Sequence, residues 1–137
     1  MRFLSIFKSI ESHEPPSQEF MERMNALIEK LMKTGELVAT EGCLPSALGA
    51  RVRSDKGRVT ITDGPFAESK EVVGGFAILE AKSKDDAIRM VREFLAVAGD
   101  GECEIRQIYS ASDAGTCTSP TDARAQHEEL TRQFSHS

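Results

Sequence analysis

Apolar positions along the chain change their period several times, and each change predicts an element. Residues 2–8, Arg2-Phe3-Leu4-Ser5-Ile6-Phe7-Lys8, alternate loosely and are rich in Phe, Leu and Ile, which predicts a first strand. Glu11 to Pro16 is a polar loop closed by two prolines. Ser17 then offers an N-cap, with Glu19 in the first turn, and Phe20, Met24, Leu27, Ile28 and Leu31 recur at helical spacing. That predicts an amphipathic helix over 18–33, stopped by Gly35. Leu37 to Cys43 reads as a second strand, broken by Leu44-Pro45-Ser46. Ala50-Arg51-Val52-Arg53 and Arg58-Val59-Thr60-Ile61-Thr62 flank Ser54-Asp55-Lys56-Gly57 as a hairpin. The most apolar run of the protein, over 72–80, is a further strand. Ser83 caps a second helix, with Asp85 and Asp86 where the helix dipole favours acids. Its apolar side is Ala87, Ile88, Val91, Leu95 and Ala98, widened by Met90 and Phe94. Gly99-Asp100-Gly101 ends it, and Glu104 to Tyr109 is the last strand.

The order β-α-β, hairpin, β-α-β predicts an α+β fold, a ferredoxin-like βαββαβ sandwich with an inserted β-hairpin and both helices on one sheet face. The other face then needs a cover. In residues 72–79 nearly every position is apolar or Gly, and in the first strand Phe3, Leu4, Ile6 and Phe7 occupy both parities. A second copy of the chain is the simplest cover, so the expectation is a homodimer with sheets packed face to face, a barrel-like pair. The domain spans 1–110. The tail, 111–137, is Ser-, Thr-, Ala- and Gly-rich at first, and Ser119-Pro120-Thr121-Asp122 then looks like the start of a short helix. Its Leu130 and Phe134 are too few apolar groups to cover a sheet face.

Composition narrows the function classes. A chain of 137 residues is one domain with room for a core. A net charge of −5 argues against a general nucleic-acid surface, which needs clustered Lys and Arg. No run approaches the roughly 18–20 apolar residues of a membrane span, and the N-terminal apolar stretch is too short for a signal peptide, so cytoplasm is the expected compartment. Cys43, Cys103 and Cys117 are an odd number at wide spacing, and His13, His127 and His136 have no ligand-spaced partner. Neither a disulfide framework, a metal site nor a cofactor is called for.

Between the hairpin and the apolar strand lies Thr62-Asp63-Gly64-Pro65-Phe66-Ala67-Glu68-Ser69-Lys70-Glu71, the stretch where candidate chemistry gathers. Asp-Gly-Pro is turn chemistry, with Gly64 free to take φ > 0 and Pro65 restricting the residue before it. A carboxylate at Asp63, partly buried beside Phe66, would act as general acid or base, with Glu41 or Glu68 as a second carboxylate. Arg51 and Lys70 are candidates to bind a polar or anionic substrate, Gly64, Pro65 and Phe66 to shape its cleft, and His13 to carry a proton at the mouth. A plainer reading has Asp63 accepting backbone N–H bonds, Phe66 anchoring the loop and the charges solvated. Gly74-Gly75 inside a strand marks a close approach by backbone or ligand.

Asp63-Gly64-Pro65-Phe66-Ala67-Glu68-Ser69-Lys70-Glu71 followed by Gly74-Gly75-Phe76 resembles the signature of the DGPF branch of the YciI-like (YCII-related) family. Glu41-Gly42-Cys43-Leu44-Pro45-Ser46, Ala50-Arg51-Val52-Arg53 and Glu104-Ile105-Arg106 fit as well, so the likeness covers about residues 1–110. It implies a dimeric α/β barrel among small bacterial proteins, mostly of unknown function, some associated with extracytoplasmic-function sigma factors and a few acting on chlorinated aromatics. Relatives carry a helix-1 His proposed to pair with an Asp. Here that place falls near Met24, and residues 18–33 contain no His. The dyad does not carry over, and any acid–base work falls to carboxylates. Three function classes remain: a protein binding a small polar or aromatic molecule beside Asp63, with carboxylate catalysis as its enzymatic form; a regulatory interaction protein of a sigma-factor circuit; and a non-catalytic dimeric scaffold.

Overall fold

The computed structural model describes residues 1–66 and 68–110. They form β1 (Arg2–Ser9), α1 (Gln18–Lys33), β2 (Leu37–Gly42), a short 3-10 turn (Ser46–Leu48), β3 (Ala50–Asp55), β4 (Arg58–Asp63), β5 (Val72–Glu80), α2 (Lys84–Ala98) and β6 (Glu102–Gln107). These elements make one compact unit, Met1–Gln107; a second unit begins at Ile108. The expected tail helix, Cys117, His127 and His136 lie outside the described residues. Among the described residues no helix is long and apolar enough to cross a membrane.

Both helices begin where their caps place them. Ser17 Oγ accepts from Phe20 N–H at 3.1 Å, and Ser83 Oγ from Asp86 N–H at 3.1 Å, each satisfying a donor that the first helical turn leaves unpaired. Gly35 lies just past the end of α1 at φ 76°, a conformation that favours glycine.

The main sheet has the order β2-β5-β1-β6, all neighbours antiparallel, and β3-β4 is a sheet of its own. This is the expected α+β order with the hairpin inserted. Phe3 pairs with Leu79, and Leu79 with Leu37, so these side chains share one face. They pack with Leu31 of α1 and Ala87, Met90 and Val91 of α2 in a single core, so both helices lie on that face. Phe7 meets Phe94 edge to face, with ring centroids 5.2 Å apart.

The opposite face pairs Leu4 with Ile78 and Ile6 with Phe76. Among the described residues no element packs over it: Leu4, Ile6 and Ile78 are half-buried, and Phe76 is 37% exposed. The protomer thus leaves open the face of β5 that a second copy is expected to cover. The last strand also starts earlier than its sequence pattern suggests. A side chain on Gly101 would stand 2.5 Å from the Phe7 ring, so the chain passes β1 closely there, and pairing begins at Glu102 opposite Lys8.

Candidate functional site

Candidate residues gather at two places on two different sheets, and of those predicted Glu41 alone lies at the second, with Lys70 and His13 at neither. The first surrounds the Asp-Gly-Pro turn at the foot of the hairpin. Asp63 ends β4 opposite Ala50 and is exposed, not partly buried beside Phe66 as the sequence suggested. The turn contains a cis Gly64-Pro65 peptide. Gly64 is needed for a reason other than positive φ: a Cβ there would fall 1.7 Å from the Ser46 carbonyl oxygen. Gly64 N–H donates to Gly49 O at 2.9 Å, which ties the turn to the start of β3.

Ser46, read in the sequence only as part of a strand break and of the family likeness and not as a site residue, is the node of this region. Its N–H and its hydroxyl donate to the Glu11 carboxylate at 2.7 and 2.6 Å, and Phe66 N–H donates to its Oγ at 3.3 Å. The Ser46 hydroxyl, then its N–H, hold the Glu11 carboxyl below the usual carboxylate range. Arg51 closes the other side. Its guanidinium stacks 3.9 Å above the Phe66 ring and donates to Glu68 and, at 2.8 Å, to Ser69 Oγ. Glu68 is held below its ordinary range first by its own backbone N–H and then by Arg51. Arg51 and Glu68, proposed as substrate-binding and catalytic groups, thus neutralise each other and brace the loop. Lys70 and His13 are exposed and line no part of the cavity described next, and His13 acts here only as the last of the influences that lower Glu11.

The second group surrounds a cavity of about 530 Å³ between the two helices and the sheet. Phe7, Phe20, Met24, Leu27 and Phe94 are among its apolar lining residues, and Asp63, Arg51, Glu68, Lys70 and His13 are not part of it. Its origin lies in the strand glycines. Gly42 and Gly75 pair across β2 and β5, and Gly75 also pairs with Phe7, which places both glycines on the helix-covered face. Two side chains are therefore missing under the helices. Gly75 cannot be otherwise, because a Cβ would come within 2.7 Å of the Glu41 carbonyl oxygen.

Polar groups are few. Ser5 and Thr40 line the cavity, but the Thr40 hydroxyl already donates to Phe76 O at 2.9 Å, and Ser5 is buried beside Cys103. Burial pushes the Cys103 thiol up, and the Ser5 hydroxyl partly offsets this. Among the described residues Glu41 is the single charged one at the cavity, at its β2 edge. It pairs with Phe76, whereas Thr40 pairs with Ala77, so strand alternation sets the Glu41 side chain on the face away from the helices. Glu41 and Asp63 belong to different sheets and form no carboxylate pair. Met24, near the position of the helix-1 histidine of relatives, lines the cavity. Among the described residues no cluster of His, Cys, Asp and Glu could hold a metal ion.

The enclosing aromatics were visible as apolar residues, but periodicity reads them as core. The signal available for the cavity was Gly74-Gly75 together with Gly42, which only pairing brings side by side.

Among solved structures, the chain is similar to the 5-chloro-2-hydroxyhydroquinone dehydrochlorinase of Burkholderia phenoliruptrix AC1100, in complex with 2,5-dihydroxybenzoquinone. The identity is 20%, the match covers 80% of this chain and 94% of that one, and the TM-score is 0.44. A likeness that loose carries neither ligand nor chemistry across. An uncharacterized protein of Rhizobium meliloti (strain 1021) is 29% identical over 92 residues, which are 66% of this chain and 74% of the relative. The family model described as YCII-related domain matches residues 1–112, most of the chain, and the chain belongs to the YCII-related family.

Proposed function

We propose that this protein binds a small, uncharged, largely aromatic molecule in the cavity between α1, α2 and the main sheet, and that it works as a homodimer. The observation that carries the binding reading is the cavity of about 530 Å³ opened by Gly42 and Gly75 and walled by Phe7, Phe20, Met24 and Phe94. That volume falls within the few hundred to 1,000 Å³ of ordinary small-molecule sites. With its hydroxyls engaged or buried and its one carboxylate directed elsewhere, the cavity selects by shape and apolar contact, since an ion would lose its hydration there without compensation. The same arrangement favours binding over carboxylate catalysis. The Asp63 turn, a feature in keeping with the DGPF branch, serves in this reading to hold the hairpin. The dimer reading rests on the uncovered apolar face of Leu4, Ile6, Phe76 and Ile78.

Thermal shift and ligand-observed NMR with naphthalene, indole and catechol as probes test the binding. The expected result is saturable binding of at least one probe, weakened about tenfold by Met24→Trp, which fills the cavity, and changed less than about twofold by Glu41→Gln. If no probe binds at millimolar concentration, or if Met24→Trp binds as tightly as the wild type, the reading is wrong.

A further inference from the structure

All six residues of β3 and all six of β4 are exposed. A two-stranded ribbon standing by itself is at best marginally stable in water. This one is fixed at its foot, where Gly64 N–H bonds Gly49 O and Arg51 clamps Phe66, Glu68 and Ser69. Beyond the foot its two faces differ sharply. Val52 pairs with Ile61 and Ser54 with Val59, so one face presents Val52, Val59 and Ile61, which are 69, 61 and 67% exposed. Arg51 pairs with Thr62, Arg53 with Thr60 and Asp55 with Arg58, so the other face is basic.

The charge is concentrated as well. Residues 51–62 hold four bases and one acid, a net +3, on a chain of net −5, which leaves −8 on the remainder. Among the described residues Arg53, Lys56 and Arg58 make no ion pair, although acids are abundant elsewhere.

We propose that the β3–β4 hairpin is a docking arm that lies on a second copy of this chain, with Val52, Val59 and Ile61 against the partner and Arg53, Lys56 and Arg58 set among its acidic groups. This deepens, and rests on, the homodimer reading given above. A second copy is the occupant that fits for three reasons. Its body is acidic where the arm is basic, and such complementarity steers and registers association. One partner covers two exposed apolar surfaces of the protomer, the arm and the open sheet face. Two-fold closure gives each arm a receiving surface and leaves no open contact. A nucleic acid would engage only the basic face and leave the three aliphatic side chains in water. The two strands also offer no aromatic residue for bases to stack on.

Sedimentation velocity on the full chain at micromolar concentration tests the arm, using wild type, Val52→Asp and the double variant Arg53→Glu/Arg58→Glu. Both variants should keep the wild-type circular dichroism and raise the dimer dissociation constant at least about tenfold. Added salt should weaken the wild-type dimer more than the charge-reversed one. If Val52→Asp fails to fold, the exposed double variant and the salt titration decide. Variants that dimerise as the wild type does would overturn the arm while leaving the dimer in place, and a monomeric wild type would overturn both. Fluorescence anisotropy with a short single-stranded oligonucleotide supplies the remaining arm of the test. Binding that Arg53→Glu/Arg58→Glu abolishes, with dimerisation unchanged, would assign the basic face to nucleic acid and overturn the proposal.

Discussion

The Ser46 hydroxyl stands between the Glu11 carboxylate and the Phe66 main chain, donating to Glu11 at 2.6 Å and accepting from Phe66 N–H at 3.3 Å. One side chain thereby joins the loop after β1 to the turn after β4. Ser46→Ala removes both links and leaves the Phe66 N–H without this acceptor. Its melting temperature should fall by several degrees, and proteolysis should first cut near Phe66. Ser46→Thr, which keeps the hydroxyl, should recover most of the loss.

The motif residues should separate by role. Gly64→Ala drives a Cβ into the Ser46 carbonyl and should cost about 2 kcal/mol or more in urea unfolding. Asp63→Asn changes an exposed group and should stay within about 0.5 kcal/mol of wild type. It should also leave probe binding in the cavity unchanged. An Asp63→Asn protein that lost binding would return the site to the turn.

Acid should destabilise the fold from one direction only. The carboxyls of Glu11, Glu36, Glu80, Asp86 and Glu104 are all held below their ordinary values. The leading causes are, in turn, the hydroxyl of Ser46, the hydroxyl of Thr34, the N-terminal ammonium, the Lys82 N–H and the Lys8 ammonium. Each folded value lies below the unfolded 4.5 of Glu or 3.8 of Asp, so the stabilisation is complete above those values and is lost as pH falls through the folded ones. Melting temperature should be flat from about pH 5 to about pH 8 and decline below that window, with a smaller decline in added salt because these groups are exposed. A decline that starts near neutrality would require a titrating group outside this set.

Thiol accessibility should report the packing of β6. Cys43 is exposed, whereas Cys103 is half-buried with its thiol pushed up by burial. Peptide mapping after brief iodoacetamide treatment near pH 8 should show Cys43 alkylated about tenfold faster. Equal rates would mean that β6 opens readily from β1.

The local elements of this protein could be read from its residues alone. Ser17 and Ser83, each ahead of an amphipathic run, set the starts of both helices, because capping and helical periodicity act over a single turn of chain. The hairpin was legible from Gly57 and its flanking alternation, and the α+β order followed from the succession of elements. Tertiary structure decided what those elements do together. It set Asp63 in water and placed Arg51 over Phe66. It showed that Gly64 is required by the Ser46 carbonyl. It also brought Gly42 beside Gly75 under the helices, so that residues with the periodicity of core enclose a cavity. Spacing along the chain carries propensity and amphipathicity, whereas burial, charge pairing and empty volume depend on neighbours that only strand pairing and packing assign.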